Sequence, residues 1–93
     1  MKTNFLVGYD IADPKRLRKT AKIIQEYGNR VQYSFFHCLI SKNQKRNLID
    51  RISKIINNDE DQLILIPITK RQLQEMECIG IKEDLSHHGI IIV

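Results

Sequence analysis

Residues 5–14 read Phe5-Leu6-Val7-Gly8-Tyr9-Asp10-Ile11-Ala12-Asp13-Pro14, and the order of those side chains decides the fold. Phe5, Val7, Tyr9 and Ile11 fall on one face of an extended chain and Leu6, Gly8 and Asp10 on the other, because successive strand side chains point to opposite sides. The stretch predicts a strand with one strongly apolar face. Asp13-Pro14 then opens a helix. An aspartate before the first turn can accept from its free N–H groups, and proline suits the first helical position, where its missing N–H would have no partner anyway.

Working outward, Leu17, Ala21, Ile24 and Tyr27 recur at helical spacing and predict the buried stripe of that helix, with Gly28 as its C-terminal stop. Val31 to Ile40 is rich in aromatic and β-branched residues and is read as one strand without a hairpin, apolar on both faces. Ser41-Lys42-Asn43-Gln44 has capping-box spacing, and Leu48, Ile52, Ile55 and Ile56 supply the stripe of a second helix that Asn57-Asn58 ends. Leu63 to Ile68 is a short continuous apolar run, which predicts a central strand buried on both sides, with Pro67 confined to its end or to an edge. Residues 69–88 read as irregular apart from a turn of helix around Arg71 to Met76, and Gly89 to Val93 as a last apolar strand.

This order suits an α+β, ferredoxin-like βαββαβ sandwich in one domain over residues 1–93, with both helices on one face of the sheet. The opposite face needs a cover, and a free Ile90-Ile91-Ile92-Val93 strand would invite aggregation. A homodimer is therefore expected, with residues 78–93 as the region whose strand joins the partner's sheet. No repeats or low-complexity segments appear.

The chain has 93 residues, 42% of them apolar, which suits a folded domain with a modest core. No apolar run is long enough to cross a bilayer, and Met1 to Thr3 lead into a strand without a signal-peptide pattern. Cys38 and Cys78 match no metal-ligand spacing and are expected to be free thiols in a reducing cytoplasm. The net charge of +4 hides an asymmetry: residues 1–54 hold 12 Lys and Arg against 4 Asp and Glu, whereas residues 55–93 hold 3 against 7. Such a polarised surface predicts an acidic partner for the first half, namely nucleic-acid phosphate.

Lys15, Arg16, Arg18, Lys19 and Lys22 on the first helix, Arg30, and Lys42, Lys45, Arg46, Arg51 and Lys54 on the second are the candidate phosphate contacts. Asp10, a carboxylate at the end of an apolar strand, is either a turn residue or a ligand for Mg²⁺ or Mn²⁺, since hard cations choose oxygen. One carboxylate is a poor site; two copies facing each other across a dimer axis make a better one. His37 reads as a core or interface histidine, and His87 and His88 as loop residues. Ser34 has no His/Asp partner at a recognisable spacing, so nucleophilic catalysis is not supported. Tyr9, Tyr33, Phe35 and Phe36 read as core rather than as stacking platforms.

Val7-Gly8-Tyr9-Asp10-Ile11, then Asp13-Pro14-Lys15-Arg16-Leu17-Arg18-Lys19, then Tyr27-Gly28-Asn29-Arg30-Val31-Gln32-Tyr33-Ser34-Phe35-Phe36 together resemble the CRISPR-associated protein two family. The resemblance implies a ferredoxin-like homodimer that assembles with the larger CRISPR integrase subunit and lies along incoming duplex DNA. It also implies a metal-dependent endonuclease acting on RNA or DNA. Asp10 matches the family's metal-binding, catalytic aspartate, and Tyr9, Arg16, Arg18, Arg30, Ser34 and Phe36 match positions tied to substrate binding or nuclease activity. Many relatives carry an acidic residue where this chain has His37, which weakens any mechanism needing a second carboxylate per protomer. Two other readings remain open, a non-catalytic duplex-DNA scaffold and a toxin-like ribonuclease.

Overall fold

A computed structural model describes residues 1–80 and the backbone of residues 91–92. Strand β1 (Lys2–Asp10) buries Phe5, Val7 and Tyr9, as the alternation predicts, and Ile11 beyond it is buried too. Helix α1 (Pro14–Ile24) starts where expected: the Asp13 carboxylate accepts from Arg16 N–H at 2.9 Å and Pro14 opens the first turn. Next come β2 (Gly28–Gln32), β3 (Phe35–Ser41), α2 (Lys42–Ser53) and β4 (Gln62–Ile68). The Ser41–Gln44 capping box forms in both directions. The chain goes on through α3 (Lys70–Glu75) and β5 (Glu77–Cys78) to β6 (Ile91–Ile92).

The first six elements make the βαββαβ order, and the antiparallel sheet runs β2-β3-β1-β4, the ferredoxin-like arrangement. Side chains of Phe5, Val7 and Tyr9 on β1, Phe36, Cys38 and Ile40 on β3, Ala21 and Ile24 on α1, and Leu48 and Ile52 on α2 form one cluster. Both helices therefore cover the same face. Each large aliphatic or aromatic side chain buried there contributes about 1.5–3 kcal/mol, which makes this cluster the main source of stability. Burial also pushes the Cys38 thiol up to about 11, so it stays protonated and inert.

Four expectations are corrected. Residues 31–40 are two strands, because the chain turns at Tyr33-Ser34. The end of β1 secures that turn: Tyr9 N–H donates to the Ser34 carbonyl at 3.1 Å and Tyr9 Oη–H to the Tyr33 carbonyl at 3.0 Å. The register also shifts between Arg30 and Gln32, a bulge of the kind that strengthens local twist. Strand β4 is an edge strand within the described sheet and not a central one, so Pro67 is tolerated, and Ile64 and Ile66 stay exposed because they lie on the face the helices do not cover. On α1 Thr20 turns inward beside Ala21 and Ile24 and is fully buried, while Leu17 is exposed.

Gly28 is not a helix stop, for α1 ends at Ile24 and Gly28 already lies in β2. It is needed there for close approach: a Cβ at Gly28 would collide with the His37 carbonyl and sit 2.6 Å from Cys38 Sγ.

The other face of the sheet carries Leu6, Phe35, Ile68, Leu39, Ile64 and Ile66. Leu73 and Met76, from α3 and the residue after it, close over Leu6, Val31, Phe35 and Ile68 at one part of it. Leu39, Ile64 and Ile66 remain exposed. The terminal strand β6 pairs in parallel with β5 of the same chain. Residues 81–90 and 93, with His87, His88 and most of the segment expected to join a partner, lie outside the described residues.

Candidate metal and nucleic-acid site

Asp10 is the last residue of β1 and is exposed. Strand pairing places it opposite Gln62 on β4, on the open face of the sheet. Two residues earlier Gly8 lies under the Phe35 ring, so closely that a Cβ there would meet Phe35 Cε1 at 2.6 Å. Tyr9, Asp10, Phe35, Gln62 and Ile64 line a shallow concavity around the carboxylate. Among the described residues no three His, Cys, Asp or Glu side chains cluster as a ready metal cage. Asp10 alone fits a Mg²⁺ ion only in that ion's usual manner, held by one or two carboxylates with water and substrate phosphate completing the octahedron.

Behind Asp10 the chain is tied down by Asp61, a residue that no sequence pattern singles out. The Asp61 carboxylate, its side chain fully buried, accepts from Arg16 Nε at 2.7 Å and Nη2 at 3.2 Å. It also accepts from the backbone N–H groups of Ala12 at 3.0 Å and Asn57 at 2.8 Å. The Arg16 guanidinium, more than the two backbone donors, holds the Asp61 carboxyl far below the usual carboxylate range, and Asp61 raises Arg16 in return. Asp61 sits in the run Asp59-Glu60-Asp61, which reads as solvated charge. Only the fold shows that one member turns inward.

The other residues implied by the resemblance divide by environment. Phe36 is fully buried and Tyr9 nearly so, their rings 6.2 Å apart. Both belong to the core cluster, and Tyr9 also lines the concavity around Asp10. Ser34 sits in the β2–β3 turn, where its carbonyl secures the end of β1. Arg30 stacks over the Phe36 ring at 5.2 Å, and among the described residues its buried Nε–H has no partner. Arg18 is exposed on α1.

Of the basic helix residues, Arg16, Arg51 and Lys54 are in ion pairs, with Asp61, Glu26 and Asp50. Arg51 also donates to Tyr27 Oη at 3.2 Å and so joins α2 to the end of α1. Among the described residues Lys15, Arg18, Lys19 and Lys22 on α1 and Lys42 and Arg46 on α2 are exposed and make no ion pair. Lys45 lies over the Phe5 ring at 5.1 Å. The first turns of α1 and α2 hold no acidic residue. Their basic side chains are thus near the positive helix ends, where they lose stability but strengthen the pull on an anion.

The family model for CRISPR associated protein Cas2 matches residues 3–76. The chain belongs to the Cas2 family. The CRISPR-associated endoribonuclease Cas2 3 of Synechocystis is 35% identical over 89 residues, covering 96% of this chain and 97% of that one. The CRISPR-associated endonuclease Cas2 of Halalkalibacterium halodurans is 33% identical over 85 residues, covering 86% and 88%. Among solved structures, Streptococcus pyogenes Cas2 superimposes with a TM-score of 0.77 at 32% identity, covering 83% of this chain and 99% of that one. The Cas2 match spans the whole βαββαβ core and ends in the residue after α3.

Proposed function

We propose that this Cas2-family protein is a cytoplasmic CRISPR adaptation subunit, a homodimer with metal-dependent endonuclease activity on RNA or DNA, that works beside the larger integrase subunit. The exposed Asp10 carboxylate at the rim of the open sheet face carries the reading. Relatives covering nearly the whole chain are named endoribonuclease and endonuclease, which supports the activity. Leu39, Ile64 and Ile66 are 49%, 43% and 38% exposed on that same face. A second copy packed face to face would cover them and bring a second Asp10 to the first.

The Asp10 pair would hold Mg²⁺, or Mn²⁺ in its place, and the ion would supply charge for the phosphodiester oxygen and a more acidic bound water. The chain's own residues do the rest. Lys15, Arg18, Lys19, Lys22, Lys42 and Arg46 hold the backbone of the nucleic acid by charge, without reading sequence. Tyr9 and Phe36 fix the end of β1 against the β2–β3 turn, so the carboxylate is presented at a constant angle.

The free basic faces of α1 and α2 also favour a second reading, a scaffold that grips duplex DNA while the integrase does the chemistry. One set of measurements separates the two. Wild type and Asp10→Ala are assayed for Mg²⁺-dependent cleavage of RNA and duplex DNA and for spacer integration with the larger subunit. Loss of cleavage in the variant supports the nuclease, and intact integration alongside it makes the two roles separable. Cleavage undiminished in Asp10→Ala removes that residue from the mechanism.

A further inference from the structure

We infer that Asp61 is the positioning residue of the Asp10 site and that Arg16 serves as its clamp rather than as a phosphate ligand. The inference rests on Asp10 being the metal ligand. Asp61 joins three segments. It receives the Ala12 N–H two residues after Asp10, the Arg16 fork in the first turn of α1, and the Asn57 N–H in the turn before β4. Its own neighbour, Gln62, is the residue paired with Asp10. Asp10 is therefore bracketed along the chain by Ala12 and across the sheet by Gln62, and both brackets end on one buried carboxylate.

The same geometry changes what Arg16 can do. Two donors of its fork lie on Asp61, and Glu60 stands 4.0 Å from Nη2. A guanidinium so engaged has to break a charge-assisted, two-point contact before it can grip a phosphate in the same manner. Arg18, two residues on, is exposed and makes no ion pair among the described residues. The two arginines of the Arg16-Leu17-Arg18 motif thus have different tasks, one inward and one outward.

Four variants test this: Asp61→Asn, Arg16→Lys, Arg16→Gln and Arg18→Gln, read by cleavage kinetics, by Mn²⁺ affinity and by the salt dependence of binding to one RNA. Arg16→Lys keeps the charge but loses the planar fork. It and Asp61→Asn are each expected to lower kcat about 10-fold or more, because a 1 Å misplacement of a reacting group costs up to about 100-fold. KM should stay within about 2-fold. Mn²⁺ affinity should fall about 10-fold, as when a ligand loses its supporting partner. The double variant should be no worse than the poorer single one, since both remove the same clamp.

Arg18→Gln should flatten the slope of log K against log salt by about 0.7–0.9, one phosphate's worth, and Arg16→Gln should leave it unchanged. A slope flattened by that amount in Arg16→Gln, or wild-type kcat in Arg16→Lys, overturns the inference. Should Asp61→Asn fail to fold, the Arg16 variants decide. Should wild type show no Asp10-dependent cleavage, the nuclease reading fails. Mn²⁺ affinity and the salt slope then still judge the clamp.

Discussion

Thr20 offers a perturbation whose sign runs against the usual effect of mutating a buried residue. Its side chain is fully buried, and among the described residues Oγ1 has no hydrogen-bond partner. A buried hydroxyl left unpaired costs about 1–3 kcal/mol. Thr20→Val keeps the shape, replaces the hydroxyl by a methyl, and changes helix propensity little. We expect it to stabilise the protein by about 1 kcal/mol, which for a domain of this size raises Tm by roughly 4–8 °C. Thr20→Ser keeps the hydroxyl and gives up a methyl, so it should lose about 0.8 kcal/mol or more. The assay is thermal and urea unfolding followed by circular dichroism at one fixed protein concentration, because the proposed dimerisation would make Tm depend on concentration. A valine variant no more stable than wild type would refute the reasoning and mean that the hydroxyl is satisfied in solution.

Two more perturbations probe different parts of the molecule. Gly28→Ala places a Cβ against the His37 carbonyl and 2.8 Å from Cys38 Cα, backbone that cannot retreat, so β2 must lift from β3. A loss of about 1–3 kcal/mol is expected in urea unfolding, and an unchanged midpoint would mean the β2–β3 pairing is looser than the register implies. Asp61, Asp13 and Glu26 have carboxyls lowered by their partners, Arg16 Nε, the Arg16 backbone N–H and Arg51 respectively. A lowered folded value gives stability that is complete above the unfolded carboxylate pKa, about 4, and is lost as pH falls below it. Tm should therefore be level from pH 7 to about 5 and drop below about 4, less steeply in Asp61→Asn; a decline beginning near pH 6 would point to other groups.

Much of this was legible in the chain because the relevant physics is local. Alternation fixed the inward face of β1, and caps at Asp13 and Ser41 fixed both helix starts to the residue. The βαββαβ order was also recovered, although the turn at Tyr33-Ser34 was not. That turn has no glycine or proline and is held by Tyr9 from another strand, which no local pattern reveals. Strand β4 misled for a similar reason: an apolar run looks alike whether its strand lies in the middle of a sheet or at its edge. Asp10 stood out through its motif. Asp61 did not, since its role depends on Arg16 and Ala12, far away in sequence.

The position of β1 has a consequence for how the protein is made. It lies between β3 and β4, with Asn4 matched to Leu39 on one side and Ile68 on the other. During synthesis the N-terminal segment leaves the ribosome first, yet one of its edges stays unsatisfied until the residues of β4 have followed. Closing so long a loop is slow compared with forming a hairpin, and a nascent chain in that interval offers Leu6 and a bare strand edge to any neighbour. Translation pauses or chaperone contact before β4 emerges would thus bear on the yield of folded protein.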